Sequence, residues 1–260
     1  MVVIWKNAAD PHGEKRMLRI ECRDVVVKYG NFMALKEIYL TVPAGQYVAL
    51  LGENGAGKST LLRALAGWFR ISSGTICING KEWDHHERAI RQHVKLVPDT
   101  PQFYPDLTVH EHLQLVAKAN RINQWEPIAE TYLKSFGIDR NPRAYPASFS
   151  RGMQYKLALT MALITRPNLL LLDEPYGPLD PYSQSHLATT LCGLVQDGVS
   201  VVLSTHVLPD NDPPDRVLVM DQGVFLQDIC VDVSRDETWS SLPTRMLHDA
   251  LSVVRGNPNV

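Results

Sequence analysis

The segment that most constrains the fold of this chain is residues 52–59, Gly-Glu-Asn-Gly-Ala-Gly-Lys-Ser, which follow the pattern G-x-x-x-x-G-K-[ST]. An apolar run precedes it at Tyr47–Leu51, and helix-forming residues follow it up to Gly67. Such an apolar run is typical of a strand buried in a parallel sheet. The sequence therefore predicts a strand, a glycine-rich loop and a helix whose N-terminus faces a bound anion.

The residue types of this loop suit a nucleotide triphosphate. Glycines let backbone N–H groups close around phosphate oxygens, a lysine reaches the β- and γ-phosphates, and a serine hydroxyl reaches Mg²⁺. We therefore expect Lys58 to neutralise phosphate charge and Ser59 to bind the metal. The full set of expected nucleotide contacts is Gly52, Glu53, Asn54, Gly55, Ala56, Gly57, Lys58, Ser59 and Thr60.

The composition narrows the possible partners. The 260 residues carry 26 Lys and Arg against 28 Asp and Glu, a net charge of −2, so no nucleic-acid partner is expected. The four cysteines lie far apart, which argues against a disulfide framework or a zinc site. Residues 1–16 read as a polar lead without the apolar region of a signal peptide, and no run has the length of a membrane span. We expect any membrane-spanning part to come from another chain.

The order of the predicted elements indicates an α/β fold with a mostly parallel sheet. Strand-like patterns occupy residues 17–27, 34–42, 75–80, 94–97, 168–172 and 199–204. A helical insertion is expected between the halves of the sheet, since residues 108–163 have helical periodicity. Thr108 and Glu111 fit a capping box at its start. Residues 231–260 are expected to form an extension with a weak helical signal near residues 243–254.

Two further segments place reactive side chains at strand ends. Asp173 and Glu174 follow a run of four leucines, and His206 follows the strand-like residues 199–204 after one threonine. Asp173 suits Mg²⁺, held directly or through water, while Glu174 suits a water that attacks the γ-phosphate. His206 can contact the γ-phosphate and the same water. Alone, each feature is usually structural, but beside a phosphate loop the functional interpretation is favoured.

Ser150 and Gly152 stand at the start of a predicted helix, where Ser150 is a good N-cap and Gly152 permits close approach of a phosphate. A plain helix start explains both residues on physical grounds alone. Together with the motifs above, however, they make residues 17–230 resemble the ATP-binding subunit of ABC transporters. That resemblance implies a RecA-like P-loop NTPase core, an N-terminal antiparallel β subdomain and a helical subdomain at about residues 99–157.

The resemblance also implies roles for individual residues. In this family two subunits meet head to tail, and each ATP is held by the phosphate loop of one subunit and the L-S-G-G-Q signature of the other. Here residues 149–153, Phe-Ser-Arg-Gly-Met, stand in the place of the signature. Tyr29 matches the aromatic residue that stacks on adenine, Asp180 the interface aspartate, and His206 the switch histidine.

The sequence departs from the family pattern in the signature and after Pro98. Arg151 and Met153 resemble the S-K-G-M signature of subunits paired with ABC-2-type exporters. Asp99 follows Pro98 where the family commonly has a glutamine whose amide reaches Mg²⁺. A carboxylate would coordinate the metal more strongly than an amide, so we expect Asp99 to be a metal ligand, with Gln102 as the alternative.

The resemblance implies an ATPase that uses ATP and Mg²⁺ and dimerises with a second copy or a paralogue. It also implies that the dimer drives an integral membrane permease subunit from the cytoplasmic face of the cell membrane, and export is the expected direction. The alternative is a soluble ABC-type ATPase of DNA repair or translation. Those relatives generally have a long coiled coil, zinc modules or two ATPase halves, which this sequence lacks.

Two smaller clusters have alternative explanations. His85, His86 and His93 could suggest a metal site, but a solvated helix start explains the surrounding residues more simply. Phe103 and Tyr104 either contribute to a groove for a helix of a membrane subunit or pack locally, and the sequence does not separate the two.

Overall fold

The computed structural model describes residues 17–138, 143–206 and 214–231, which form two sheets and the helices around them. The strands are β1 (Leu18–Tyr29), β2 (Phe32–Pro43), β3 (Tyr47–Leu51), β4 (Ser73–Ile78), β5 (Lys81–Glu82), β6 (Val94–Val97), β7 (Leu169–Asp173), β8 (Ser200–Thr205), β9 (Arg216–Asp221) and β10 (Val224–Cys230). The helices are α1 (Lys58–Leu65), α2 (Trp83–Arg91), α3 (Val109–Ala119), α4 (Glu126–Ser135), α5 (Arg151–Leu163) and α6 (Pro181–Gln196), with a 3₁₀ turn at Pro146–Ser148.

The first sheet is antiparallel, with the strand order β2-β1-β4-β5. Its inner face shares one apolar core with α1, as Ile20, Leu35 and Leu61 show. The outer face is open to solvent, so Tyr39 is 63% exposed between the buried residues Ile38 and Leu40. This alternation is what a sheet with one packed face requires.

The second sheet has the order β10-β9-β3-β8-β7-β6, and only the edge pair β9–β10 is antiparallel. Every residue of β3, β7 and β8 is buried, because apolar residues cover both faces of these strands. The register pairs Leu51 with Thr205 and Asp173 with Ser204. The carboxyl ends of β3, β7 and β8 therefore lie side by side, and the phosphate loop and the strand-end acidic residues meet there.

The helical insertion lies between β6 and β7 and contains α3, α4 and α5. Its first helix has the predicted capping box: the Glu111 N–H donates to Thr108 Oγ1 at 3.3 Å, and the Thr108 N–H donates to Glu111 Oε2 at 2.8 Å. Apolar residues of the insertion, including Leu113, Leu133 and Tyr155, join the core on one face of the second sheet. The insertion is thus packed against the second sheet as part of the same core.

The structure differs from the sequence predictions at several elements. β9 and β10 were not predicted, and the strand expected at residues 75–80 lies at Ser73–Ile78. That strand ends early because Asn79 and Gly80 take positive φ angles of 52° and 72° in the turn before β5. The helical signal near residues 243–254 lies outside the described residues.

Three findings concern the part of the chain that the structure describes. Within it, no group of three or more His, Cys, Asp or Glu side chains could hold a metal ion, and His85 and His86 lie in α2. The four cysteines are free thiols. None of the described helices combines the length and the apolar character that a membrane crossing requires.

Candidate nucleotide-binding site

Backbone packing, as well as ligand binding, requires glycine at several positions of the phosphate loop. A Cβ at Gly52 would collide with the carbonyl oxygen of Met220 in β9, and one at Gly57 would lie 2.9 Å from the carbonyl oxygen of Ala34 in β2. Gly55 faces open space, but its φ of +86° favours glycine. The space that a phosphate needs is therefore only part of the reason for these glycines. The loop also packs closely between β2 and β9, where a Cβ would not fit.

Lys58 begins α1 and is 5% exposed. Its ammonium donates to the carbonyl oxygen of Gly52 at 2.7 Å and to that of Glu53 at 3.2 Å. It also lies 3.5 Å from Glu174 Oε1. The loop backbone thus holds a buried cation at the mouth of the phosphate cradle, opposite a carboxylate.

Asp173 is the last residue of β7 and is 3% exposed. Its Oδ1 accepts two hydroxyl hydrogen bonds, from Ser59 at 2.8 Å and from Ser204 at 2.6 Å. These oxygen donors are the ligand type that Mg²⁺ prefers. The two carboxylates of Asp173 and Glu174 outnumber the single ammonium of Lys58, so a divalent cation would offset the remaining negative charge. The residues present therefore fit Mg²⁺.

Glu174 has a left-handed backbone, with φ of +45°, and this conformation is fixed from β8. Its N–H lies 3.1 Å from both the carbonyl oxygen and the hydroxyl oxygen of Ser204. On the other side, Glu174 Oε2 lies 2.9 Å from Nδ1 of His206. The structure thus places the Lys58 ammonium near one carboxylate oxygen of Glu174 and the His206 ring on the other.

Ser204 is a residue that the sequence analysis missed. It is fully buried in β8 and joins the two acidic residues, since its hydroxyl contacts both the Asp173 carboxylate and the Glu174 N–H. The available signal was its position two residues before His206 on a strand adjacent to β7. A buried serine that lies level with Asp173 needs a polar partner.

Tyr29 is the residue that was predicted to stack on adenine. Tyr29 ends β1, is 50% exposed, and meets Phe69 edge-on with ring centroids 6.0 Å apart. An exposed, propped tyrosine ring suits the predicted stacking on adenine.

Ser150, Gly152 and Asp180 form a second cluster at the N-termini of α5 and α6. Ser150 caps α5 by accepting from the N–H of Met153 at 3.3 Å, and Asp180 caps α6 by accepting from the N–H of Ser183 at 3.0 Å. The Ser183 hydroxyl and N–H together lower the pKa of Asp180. A Cβ at Gly152 would lie 2.7 Å from the carbonyl oxygen of Pro178. Gly152 therefore lets the two helix starts approach each other.

Asp99, predicted as a metal ligand, has another partner in the structure. Its Oδ1 accepts from Nη2 of Arg151 at 2.7 Å, and its Oδ2 accepts from the Thr100 hydroxyl at 3.3 Å. Gln102, the alternative, is exposed. The metal role of Asp99 stays a prediction, and the pair with Arg151 is a contact that the sequence did not indicate.

Phe103 and Tyr104 were expected either to pack locally or to contribute to a groove for a membrane subunit, and the structure treats them differently. Phe103 packs against the core and meets His112 edge-on at 5.4 Å, whereas Tyr104 is 63% exposed. His112 is buried and was not singled out from the sequence. Its Nε2 accepts from the Tyr104 N–H at 3.0 Å, so its Nδ1 donates to the Thr108 carbonyl oxygen at 2.8 Å. The His112 ring thus ties this loop to the start of α3.

A phosphate loop, a strand-end carboxylate pair and an adjacent histidine on a mostly parallel sheet define a P-loop ATPase. A family model described as ABC transporter matches residues 35–177, which span the phosphate loop and both carboxylates. The chain belongs to the ABC transporter family of ATP-binding proteins.

Individual relatives agree with this assignment. The ABC-type transporter ATP-binding protein EcsA of Bacillus subtilis is 34% identical over 194 residues, covering 74% of this chain and 78% of EcsA. The aliphatic sulfonates import ATP-binding protein SsuB 2 of Pseudomonas aeruginosa is 32% identical over 233 residues, covering 89% of this chain and 82% of that protein.

Solved structures confirm the RecA-like P-loop NTPase fold. The ATP-binding cassette MJ0796, a dimer in a post-hydrolysis state bound to ADP and Pi, matches with a TM-score of 0.75 and 25% identity. The match covers 82% of this chain and 99% of that one. The chain is therefore an ATP-binding and ATP-hydrolysing subunit of the ABC transporter type.

Proposed function

We propose that this chain hydrolyses ATP through Glu174, Lys58 and His206, that ATP joins two ATP-binding subunits, and that the dimer drives a separate membrane subunit, an exporter. The contacts of the Glu174 carboxylate with Lys58 and His206 carry the proposal. Glu174 is 3.5 Å from the Lys58 ammonium on one side and 2.9 Å from the His206 ring on the other. The catalytic carboxylate is thus held between a buried cation and a partly exposed imidazole.

The reaction is phosphoryl transfer to water. Glu174 positions the water and accepts its proton while the new oxygen–phosphorus bond forms and the bond to the ADP oxygen breaks. Lys58 neutralises charge on the transferred group, and His206 holds the Glu174 carboxylate and contacts the γ-phosphate. Backbone N–H groups within residues 52–60 bind the phosphates.

Mg²⁺ would supply further charge neutralisation at the β- and γ-phosphates. Ser59 and Asp173 would hold it, since their oxygens already lie 2.8 Å apart at the start of α1 and the end of β7. Ser204 would keep the Asp173 carboxylate in place when the Ser59 hydroxyl turns to the metal. Asp99 is the further candidate ligand, from the loop after β6.

The second cluster supports a dimer with composite sites. Ser150 and Gly152 start α5 beside Asp180 at the start of α6, and a helix N-terminus favours a phosphate group. A second subunit in the head-to-tail arrangement would bring its ATP to this cluster. All parts of a composite site belong to this chain, which makes a homodimer feasible and leaves a paralogue as the other possible partner.

The membrane subunit, the location and the direction of transport complete the proposal. We place an ATPase domain at residues 17–230, with a helical subdomain at about residues 99–157, on the cytoplasmic face of the membrane through an integral permease. Tyr104, exposed at the entrance to the insertion, suits a contact with that permease. Export is favoured by Arg151 and Met153 in the signature and by Asp99, although SsuB 2 is named as an import protein.

Glu174→Gln tests the catalytic part. The amide keeps the shape of the side chain but cannot accept the proton, so turnover should fall by at least about a hundredfold while ATP binding persists. Light scattering should then show a dimer that forms with ATP and is absent with ADP. Glu130→Gln, an exposed acid on α4, is the matched control and should behave as wild type. Normal turnover by Glu174→Gln would exclude the proposed role.

The transport part needs the membrane subunit. A tagged copy of this chain should co-purify with an integral membrane protein. Inverted vesicles that hold the complex should then take up cargo when ATP is added outside, and mass spectrometry can identify that cargo by comparison with Glu174→Gln vesicles. A complex that empties such vesicles instead would establish import.

A further inference from the structure

A second exposed aromatic residue, Phe32, lies beside the tyrosine that was predicted to stack on adenine. Phe32 begins β2 and Tyr29 ends β1, and the two residues are direct partners in the antiparallel register of this hairpin. Directly paired residues place their side chains on the same face of a sheet. Phe32 is 65% exposed and Tyr29 is 50% exposed, so the end of the hairpin presents two partly open aromatic rings to one side.

That side is the inner face of the first sheet, where the phosphate loop lies. Tyr29 meets Phe69, and Phe69 packs against the core that the inner face shares with α1. Farther along β2, the Ala34 carbonyl oxygen would lie 2.9 Å from a Cβ on Gly57. Phe32 is two residues from Ala34, which is about 7 Å along a strand. Both rings are therefore within reach of the base of a nucleotide whose phosphates the loop holds.

The hairpin itself does not require these aromatic rings. Two residues, Gly30 and Asn31, connect β1 to β2, and Gly30 supplies a positive φ of 59° for the turn. A nucleotide base, in contrast, has a flat apolar face that stacks well on an aromatic side chain. A pair of open rings on one face suits such a ligand.

We propose that Tyr29 and Phe32 together support the two fused rings of a purine, and that Phe32 thereby makes the site prefer purine nucleotides to pyrimidine nucleotides. The inference rests on the proposed function and deepens it, since it names the class of base that the site selects. A pyrimidine has a single ring, which covers Tyr29 and gains little from Phe32. Stacking is tolerant of the groups on the edge of a base, so adenine and guanine should bind alike.

The experiment titrates the full chain with ADP, GDP, CDP and UDP by calorimetry. Diphosphates lack the γ-phosphate that is hydrolysed, and under the proposed function they do not join two subunits. Wild type should bind ADP and GDP with similar Kd, and CDP and UDP about tenfold more weakly. Phe32→Ser should weaken ADP and GDP about five- to tenfold, and leave CDP and UDP within about twofold of wild type.

Three further variants separate ring stacking from other effects. Tyr29→Ser should weaken all four nucleotides, because every base stacks on that ring. Phe32→Tyr keeps an aromatic ring and should resemble wild type. Met33→Ser is the matched control: Met33 is also exposed, at 37%, but it pairs with Lys28 on the opposite face of the hairpin. This variant should bind all four nucleotides as wild type does.

Wild-type affinity for ADP in Phe32→Ser would overturn the inference, and so would an equal loss for ADP and CDP. The same conclusion follows if Met33→Ser loses as much affinity as Phe32→Ser, because the effect would then belong to the hairpin and not to the Phe32 ring. The proposed function fails in a different way, by normal turnover in Glu174→Gln, so the two failures are distinguishable.

Discussion

The Ser204 hydroxyl lies 2.6 Å from the Asp173 carboxylate and 3.1 Å from the Glu174 N–H, so one side chain on β8 positions both acidic residues at the carboxyl end of β7. Glu174 depends on this contact because its backbone is left-handed, a conformation that costs about 1 kcal/mol or more for a residue other than glycine. The strand next to the catalytic carboxylates thus fixes their geometry.

Ser204→Ala should lower kcat about tenfold, because Glu174 loses a fixed orientation while the ATP-binding loop is untouched. KM for ATP should change less than kcat. Steady-state kinetics measure both. Ser200→Ala is the matched control: Ser200 is equally buried at the other end of β8, but its hydroxyl contacts Arg19 and Gly45. It should affect stability and leave kcat near the wild-type value, and an equal loss of kcat in both variants would contradict the prediction.

Gly152→Ala and Gly193→Ala should have opposite effects, although both glycines lie in helices. A Cβ at Gly152 would press on the Pro178 carbonyl oxygen and should destabilise the fold by about 1–3 kcal/mol. A Cβ at Gly193 in α6 meets nothing within 4 Å, so the better helix propensity of alanine should stabilise by up to about 1 kcal/mol. Urea denaturation measures both, and two changes of the same sign would contradict the packing argument.

The capping box of α3 should make the stability of the fold depend on pH. Hydrogen bonds from the Thr108 hydroxyl and N–H lower the pKa of Glu111. A carboxylate whose folded pKa is depressed stabilises above its unfolded pKa and loses that contribution as the pH falls through the folded pKa. Melting temperatures of wild type and Glu111→Gln should therefore differ near neutral pH and converge at about pH 3. A constant difference would show that the Glu111 charge is not responsible.

Thr108→Ala removes the other half of the capping box. It should cost about 1 kcal/mol of stability at neutral pH, since the N–H of Glu111 loses its acceptor. Thr131→Ala is a suitable control, because the Thr131 hydroxyl donates to the Pro127 carbonyl oxygen within α4 and caps nothing. Equal losses from both substitutions would argue against a specific capping role.

Two ion pairs of similar length should differ widely in their contribution to stability. Arg216, 4% exposed, binds both oxygens of Asp228 at 2.6 and 2.5 Å and also donates to the Thr41 carbonyl oxygen in the first sheet. Asp228→Ala should cost about 3 kcal/mol, because a buried guanidinium loses its partner. The Arg23–Glu21 pair is also 2.6 Å long but exposed, and Glu21→Ala should cost less than about 1 kcal/mol. Denaturation midpoints distinguish the two cases.

Patterns in the sequence predicted most of the central sheet and the position of the phosphate loop. β3, β7 and β8 are visible as short apolar runs because both of their faces are covered. β10 was missed because the partly exposed residues of this edge strand have no comparable pattern. β9 was missed although it is fully buried and contains the apolar run Val217–Met220. The capping box was predictable because it involves residues only three positions apart.

The sequence by itself determined that a phosphate loop, an acidic pair and a histidine follow strands of one mostly parallel sheet. It could do so because a motif and an apolar run are each contained in a short segment of the chain. Only the tertiary structure decided what those residues touch: Ser204 between Asp173 and Glu174, Met220 against Gly52, and Arg151 beside Asp99. These contacts join residues that are far apart in the chain. They arise from strand register and helix packing, and no short segment of the sequence carries that information.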